Sequence, residues 1–277
     1  MAYTQVNSDI KYLNLGCGYR FNSMWTNVNF VATGKEVIAH DLNQGIPFAD
    51  NTFDLVYHSH LLEHFTKAAA VSFMQECFRV LRPGGILRVA VPDLEQIARI
   101  YLNSLEQADS STEWAASYEW IALELLDQMV RNRRGGEMAT YLAEAKNCDR
   151  DFALERFGVE ASRLRTVTSG DLPFKNWLRS LKQVGRKVHQ LLPRPWQSFY
   201  TALKVGYYRQ SGEVHQWMYD RYSLSTVLTH CGFEQIVQRT ATDSYLNSWQ
   251  SFNLDTEPDG SVYKPDSLFM EAYKPID

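Results

Sequence analysis

The chain predicts an α/β fold in which a parallel sheet is wound with helices on both faces, and three observations carry that expectation. A short apolar run, Tyr12-Leu13-Asn14-Leu15, breaks abruptly into Gly16-Cys17-Gly18. Further apolar runs of strand length then alternate with stretches of helical periodicity, the order that builds a parallel sheet through crossover helices. A length of 277 residues suffices for one such domain with an embellishment.

Each element follows in turn. Tyr12 to Leu15 reads as a buried first strand. Glycine turns sharply and leaves no Cβ between chain and ligand, so Gly-x-Gly at the carboxyl end of a first parallel strand is where a nucleotide-like cofactor lies against main chain. Thr26 to Phe30 is a second strand with a polar tip at Asn29, and Val37 to Leu42 a third that ends in the acid Asp41. Ile46 to Thr52 is turn-rich and leads into a fourth strand, Phe53 to Tyr57. Phe65 to Leu81 carries Val71, Phe73, Met74, Cys77 and Phe78 at helical spacing, and Arg82-Pro83-Gly84-Gly85 stops it, since proline cannot continue a helix and glycine caps one. Ile86 to Val91 is a fifth strand with Pro92-Asp93 at its end.

Four segments in this order, Leu13–Gly18 (LNLGCG), Gly45–Tyr57 (GIPFADNTFDLVY), His60–His64 (HLLEH) and Phe78–Asp93 (FRVLRPGGILRVAVPD), make the chain resemble a class I S-adenosylmethionine (SAM)-dependent methyltransferase of the type 11 group. The resemblance covers residues 10–100 closely, and residues 222–241 and 267–274 fit the last helix and two strands. It implies a Rossmann-like, seven-stranded, mostly parallel sheet, SAM as cofactor and S-adenosylhomocysteine (SAH) as product. A dinucleotide-dependent dehydrogenase is the runner-up for such a turn, but Phe21 stands where its third glycine belongs.

The resemblance also assigns a cofactor site. Gly16, Cys17 and Gly18 pass the methionine moiety. Asn29 stands where family members place an acid on the ribose hydroxyls, and Asn14 replaces the acid that often opens the glycine motif. An amide keeps an acceptor and two donors but gives up a charge-assisted bond of ~1.5–3 kcal/mol. Asp41 and Leu42 lie by the adenine, the plainer alternative for Asp41 being a helix cap. Tyr57, His58 and Ser59 border the methionine tail and the sulfonium.

His60-x-x-Glu63-His64 also matches a zinc-peptidase signature, which on a helix sets both histidines on one face. The family's own Leu-Glu-His pattern accounts for Glu63 and His64 without an ion, so no metal is expected. His60 or His64 is instead the candidate general base, histidine having an ordinary pKa of ~6.5; packing or capping is the alternative.

The chain has 28 basic and 32 acidic residues and a formal charge of −4, which argues against a general nucleic-acid or membrane protein and against DNA as partner. Its four cysteines show no C-x-x-C spacing and read as reduced thiols. No signal peptide opens the sequence and no apolar run reaches the ~20 residues of a membrane span, so a cytoplasmic location is expected.

Between Asp93 and Tyr222 lies far more chain than the fold's crossover needs. The expected division is a SAM-binding part, 1–93, a mainly helical lid, 94–221, and a C-terminal part of the same Rossmann-like domain, 222–277. Helices are expected over Leu94–Leu105, Glu113–Val130 and Glu137–Cys148. By analogy with the fold, the insertion forms the substrate pocket, and a homodimer is open because such insertions pair subunits. Residues 172–212 hold eight lysines and arginines, no acid, and interleaved aromatics. A solvated basic face, a dock for an anionic or carrier-attached substrate and peripheral membrane contact compete for that segment.

Gly212 to Tyr222 then concentrates polar and aromatic side chains. His215 is a further candidate base, and Trp217, Tyr219, Asp220 and Tyr222 are candidate substrate contacts, against a purely structural cluster. The activity expected is O-methylation of a small, carrier-borne or peptide-borne acceptor, such as a specialised metabolite in natural-product biosynthesis or a sugar. N-methylation and a non-catalytic SAM-binding module are the alternatives.

Overall fold

A computed structural model describes residues 10–144, 147–158, 161 and 193–276 of the chain. The basic stretch 172–192 lies outside the described residues. The strands are β1 (Tyr12–Leu15), β2 (Thr26–Asn29), β3 (Val37–Ala39), β4 (Phe53–Ser59), β5 (Leu81–Pro92), β6 (Glu234–Arg239) and β7 (Ser267–Tyr273). The helices are α1 (Lys67–Val80), α2 (Leu94–Gln107), α3 (Thr112–Val130), α4 (Gly136–Glu144), α5 (Asn147–Phe157), α6 (Arg194–Arg209) and α7 (Arg221–His230). Two compact units result, residues 1–96 with 216–277, and residues 97–215.

The first unit holds one seven-stranded sheet in the order β3-β2-β1-β4-β5-β7-β6. Only β7 runs against its neighbours. The expected Rossmann-like sheet with helices is therefore present, and β1 and β4, both ending at the candidate site, are adjacent in register from Tyr12↔Leu55 to Leu15↔His58.

Side-chain alternation gives the sheet two unlike faces. Leu13, Leu15, Val56, Leu87, Val89, Val91, Leu268 and Met270 form an aliphatic face with Phe73, Met74 and Cys77 of α1 and Leu224 and Leu228 of α7. The other face carries Tyr12, Leu55 and Tyr57 under Trp25, Trp249, Phe252 and Leu254. Helices were expected there too. Instead, among the described residues of this unit, the long connection from β6 to β7 covers it. The links after β1 and β2 are too short to build a helix above the sheet.

Beneath that aromatic layer Arg88 is wholly buried. It pairs with Asp255 at 2.8 Å and Glu271 at 2.9 Å, donates to the carbonyls of Thr240 and Asp243, and lies 4.4 Å from the Trp249 ring centroid. Tyr57 donates its hydroxyl to Asp255 at 2.5 Å.

Helix α1 starts where the Thr66 hydroxyl accepts from the Ala69 amide, a side-chain cap of the usual kind. Its end differs from expectation. The last helical residue is Val80, and Leu81 is already extended and paired with Phe53. The amides of Asn51 and Thr52 take up the carbonyls of Arg79 and Val80, so Pro83-Gly84-Gly85 lies inside β5, where the register shifts, and does not cap the helix.

In the second unit, Trp120, Met138, Leu142, Ala153 and Ala161 form the core. Glu124 is buried there, pairs with Arg156 and accepts from the Trp120 indole at 3.1 Å. The helix expected over 137–148 is two elements, α4 and α5, with Cys148 in the second. Asp127 at the end of α3 accepts from the Glu137 amide at 2.8 Å, which fixes the start of α4.

Candidate active site at the carboxyl ends of the strands

The turn after β1 has the backbone its glycines allow. Gly16 and Gly18 have φ of 65° and 53°, left-handed values that cost other residues ~1–2 kcal/mol. A Cβ on Gly16 would lie 2.8 Å from the Leu61 methyls, whereas one on Gly18 would meet nothing within 4 Å. The main chain at Gly18 thus borders open space. Asn29 at the end of β2 steadies it, accepting from the Gly18 amide at 3.4 Å and donating to the Val31 carbonyl at 3.0 Å. The Thr33 hydroxyl donates to the Gly18 carbonyl.

Asn14 points into the protein and donates to Asn27 Oδ1 at 3.2 Å and to the Arg20 carbonyl at 3.1 Å, so it braces the turn from below. The Cys17 thiol is pushed up to about 11 by burial and is no thiolate at neutral pH. Arg20, just past the turn, lies 4.2 Å from the Tyr263 ring centroid and pairs with Glu257 at 3.1 Å. The β6–β7 connection is thereby tied to the glycine turn.

Asp41 caps the short turn Leu42–Gln44, accepting from the Asn43 amide at 3.0 Å and the Asn43 side chain at 2.9 Å. These hydrogen bonds lower its pKa. The helix-cap alternative therefore describes its carboxylate, and Leu42 beside it is buried in the core.

His58 is a core residue. Strand alternation turns it onto the aliphatic face, where it is fully buried and 5.2 Å from the Phe73 ring centroid, edge to face. Neither ring nitrogen has a hydrogen-bond partner among the described residues, and burial lowers its pKa to about 3. Ser59, the next residue, is half-buried at the strand's end.

The residue that follows leaves the strand sharply. His60 has φ of 49°, uncommon for a residue with a side chain. Its Nε2 is 2.8 Å from Ser267 Oγ, and its Nδ1 is 3.4 Å from Glu63 Oε1. The Glu63 side chain is buried, which pushes its pKa up to about 8. Tyr219 close by is pushed up to about 12 by burial and the Glu63 charge. Leu62–His64 forms only one 3-10 turn and His60 lies before it, so the two histidines do not share a helical face.

The segment after the insertion is tied to the same corner, since the amides of Gln216 and Trp217 donate to the Glu63 carbonyl at 2.7 and 3.3 Å. Of the candidate substrate contacts, Trp217 receives the Lys67 ammonium 4.0 Å from a ring centroid. Asp220 is the N-cap of α7 in a reciprocal capping box with Ser223. Tyr219 is buried and Tyr222 fully on the surface. His215 belongs to the second unit, where it is buried and its amide donates to the Gln128 carbonyl at 3.0 Å. The site thus joins His60, Glu63 and Tyr219 with Ser267, which the sequence reading passed over: a serine opening the last strand carries no pattern of its own.

Part of the chain resembles known proteins. Residues 22–89 match the family model of the methyltransferase domain. A probable S-adenosylmethionine-dependent methyltransferase of Mycolicibacterium smegmatis is 39% identical over 56 residues, 20% of this chain and 21% of that protein. The probable tRNA methyltransferase 9B of Mus musculus is 34% identical over 113 residues, 40% of this chain and 23% of that protein. The chain thus spans under a quarter of the length of these curated relatives. A SAM-dependent methyltransferase structure from Archaeoglobus fulgidus aligns over 96% of this chain and 86% of its own, with 11% identity and a TM-score of 0.40.

Proposed function

We propose that this chain, whose sheet is a class I SAM-dependent methyltransferase domain, methylates an oxygen of a small, carrier-borne or peptide-borne acceptor with His60 as general base. The supporting observation is the constellation Glu63–His60–Ser267, held at the carboxyl end of β4 by a left-handed backbone at His60. Methyl transfer to a hydroxyl needs a base, because the acceptor's proton must leave.

The residues fit the cofactor. The glycine turn presents bare main chain at Gly18, and Tyr19, Phe30 and Val31 on the loops after β1 and β2 keep exposed apolar side chains, as a ligand-covered surface does. Asn29 and Gly18 would border the ribose and methionine parts, with Cys17 beside them as a neutral thiol. Asp41 retains lone pairs for an adenine amine, while Leu42 offers no exposed face. Bound there, SAM supplies an electrophilic methyl group open to in-line displacement. The protein's own work is to hold the acceptor in line, which lowers such a barrier by ~7–11 kcal/mol, and to take up its proton.

His60 Nε2 accepts that proton only in the tautomer with hydrogen on Nδ1. An ionised Glu63, 3.4 Å from Nδ1, favours that tautomer by its charge, and a protonated Glu63 does not. Ser267 Oγ marks where an acceptor hydroxyl meets Nε2. His64 and His215 are the bases to test after His60.

Calorimetric titration with SAM and SAH, with NAD as control, tests the cofactor. Transfer of labelled methyl groups to acceptor pools, with wild type and His60→Ala, tests the base. Binding of SAM and SAH with loss of turnover in His60→Ala supports the proposal. Unchanged single-turnover rates in His60→Ala, His64→Ala and His215→Ala would remove the hydroxyl-plus-base mechanism. Binding with no turnover on any acceptor would favour a non-catalytic SAM-binding module.

A further inference from the structure

Helix α6, Arg194–Arg209, has no buried residue over its 16 positions. A lone helix of this length is marginal in water, so its stability calls for a surface to lie on. Trp196, Phe199, Leu203 and Tyr207, spaced by three and four residues, form one apolar stripe. Their exposures are 62%, 62%, 62% and 81%. The Trp196 and Phe199 rings stand edge to face with centroids 6.3 Å apart.

The helix is held from another side. Gln197, Val205 and Tyr208 are partly covered, and the Arg209 guanidinium donates to the carbonyls of Met129 and Val130 at 3.2 and 3.3 Å, anchoring the C-terminal end to α3. On a helical projection Val205 lies opposite the stripe, which therefore faces outward.

Charge identifies what the stripe fits. Residues 172–212 carry eight lysines and arginines without one acid in a chain whose formal charge is −4, so this segment opposes the charge of the rest. Lys204 flanks the stripe, and Arg194 opens the helix. Trp, Tyr, Phe and Leu on one face with a lysine at its edge, in a basic stretch of sequence, is the composition that seats a helix in the headgroup region of an anionic bilayer. Single-stranded nucleic acid would use the cations and stack on the rings, but it gains nothing from Leu203 in the middle of the stripe. No described helix is long and apolar enough to cross a membrane, so α6 would lie in the interface and not span it.

We propose that α6 is a peripheral membrane contact that docks the protein on anionic lipid surfaces through Trp196, Phe199, Leu203 and Tyr207. The proposal does not depend on the methyltransferase reading. The test is sedimentation of the full chain with vesicles of phosphatidylcholine alone or mixed with phosphatidylglycerol, alongside tryptophan fluorescence. The expected result is binding to the anionic vesicles only, weakened by high salt, with a blue-shifted emission that Trp196→Ala removes. Phe199→Glu and Leu203→Glu, at exposed positions that spare the core, should each weaken partition by about tenfold or more. Three outcomes overturn the proposal: no partition of folded wild type, partition unaffected by both glutamate variants, or a dimer in analytical ultracentrifugation that Leu203→Glu dissolves, which would assign the stripe to a second copy of the chain.

Discussion

The imidazole of His60 at the end of β4 and the hydroxyl of Ser267 at the start of β7 are 2.8 Å apart, joined past the intervening strand β5. Sheet order alone makes this pair, because the two residues are more than two hundred positions apart in the chain. On the other ring nitrogen lies Glu63, whose pKa is pushed up to about 8. If an ionised Glu63 sets the productive tautomer, turnover should rise from pH 6.5 to 8.5 with a midpoint near 8. His60→Ala should lower the rate by ~10²–10⁴-fold with SAH affinity unchanged. Glu63→Gln should lower the rate and flatten the profile, a response that a merely structural carboxyl would not give. A wild-type rate independent of pH over this range would refute the coupling.

Two buried groups in the first unit also predict how stability varies with pH. Glu63 is raised from an ordinary 4.5 to about 8, so the fold favours its protonated form. Its contribution is fully present below pH 4.5 and is lost as pH rises to 8. His58 is lowered from 6.5 to about 3, so the fold favours the neutral ring, and its contribution is present above pH 6.5 and is lost as pH falls toward 3. Each effect is bounded at ~5 kcal/mol. Together they give a stability that rises from pH 8 to 6.5, stays level to 4.5 and falls below. Thermal melts of Glu63→Gln and His58→Phe should remove the alkaline and the acid slope respectively.

The charge cluster under the aromatic layer predicts an asymmetric response. Removing Arg88 leaves the carboxylates of Asp255 and Glu271 buried without their shared cation, and breaking a buried pair on one side costs ~3–5 kcal/mol. Arg88→Ala should therefore lower the melting temperature by roughly 10 °C. Restoring neutrality with Asp255→Asn and Glu271→Gln in the Arg88→Met background should recover part of that loss. A melt of Arg88→Ala indistinguishable from wild type would show that the cluster is not holding the β6–β7 connection to the sheet.

Much of this was legible in the sequence and some was not, for physical reasons. Strands and their order announce themselves through apolar runs and glycine turns, so β1 with Leu13 and Leu15, the turn at Gly16 and Gly18, and the end of β2 at Asn29 were legible. His60 was legible as a candidate, but the motif it sits in suggested a helix, and one left-handed residue was enough to prevent it. His58 looked like a site residue because it stands beside the others, yet the two-residue period of a strand sends neighbours to opposite faces. The long β6–β7 connection was illegible, since its Trp249, Phe252 and Asp255 follow no period and find their partners only once the sheet exists. Ser267, Arg88 and Glu271 are single polar residues inside apolar strands. Their meaning is entirely in what the fold sets against them.

The glycine turn allows the sharpest separation of stability from binding. Gly16 and Gly18 share left-handed backbones, so alanine at either should cost ~1–2 kcal/mol of stability. Beyond that the two differ. A methyl at residue 16 runs into the Leu61 side chain at 2.8 Å, whereas one at residue 18 points into open space, the space assigned to the cofactor. Gly16→Ala should therefore lose additional stability, and Gly18→Ala should lose SAH affinity out of proportion to its melt. Asn29→Asp completes the set. It keeps the acceptor for the Gly18 amide, gives up the donor to the Val31 carbonyl and offers a charged acceptor to a ribose hydroxyl, a gain of ~1 kcal/mol or about fivefold in affinity. Calorimetry of the three variants with SAH decides the matter. If Gly18→Ala binds SAH as wild type does while Asn29→Asp changes nothing, the cofactor does not lie along this turn.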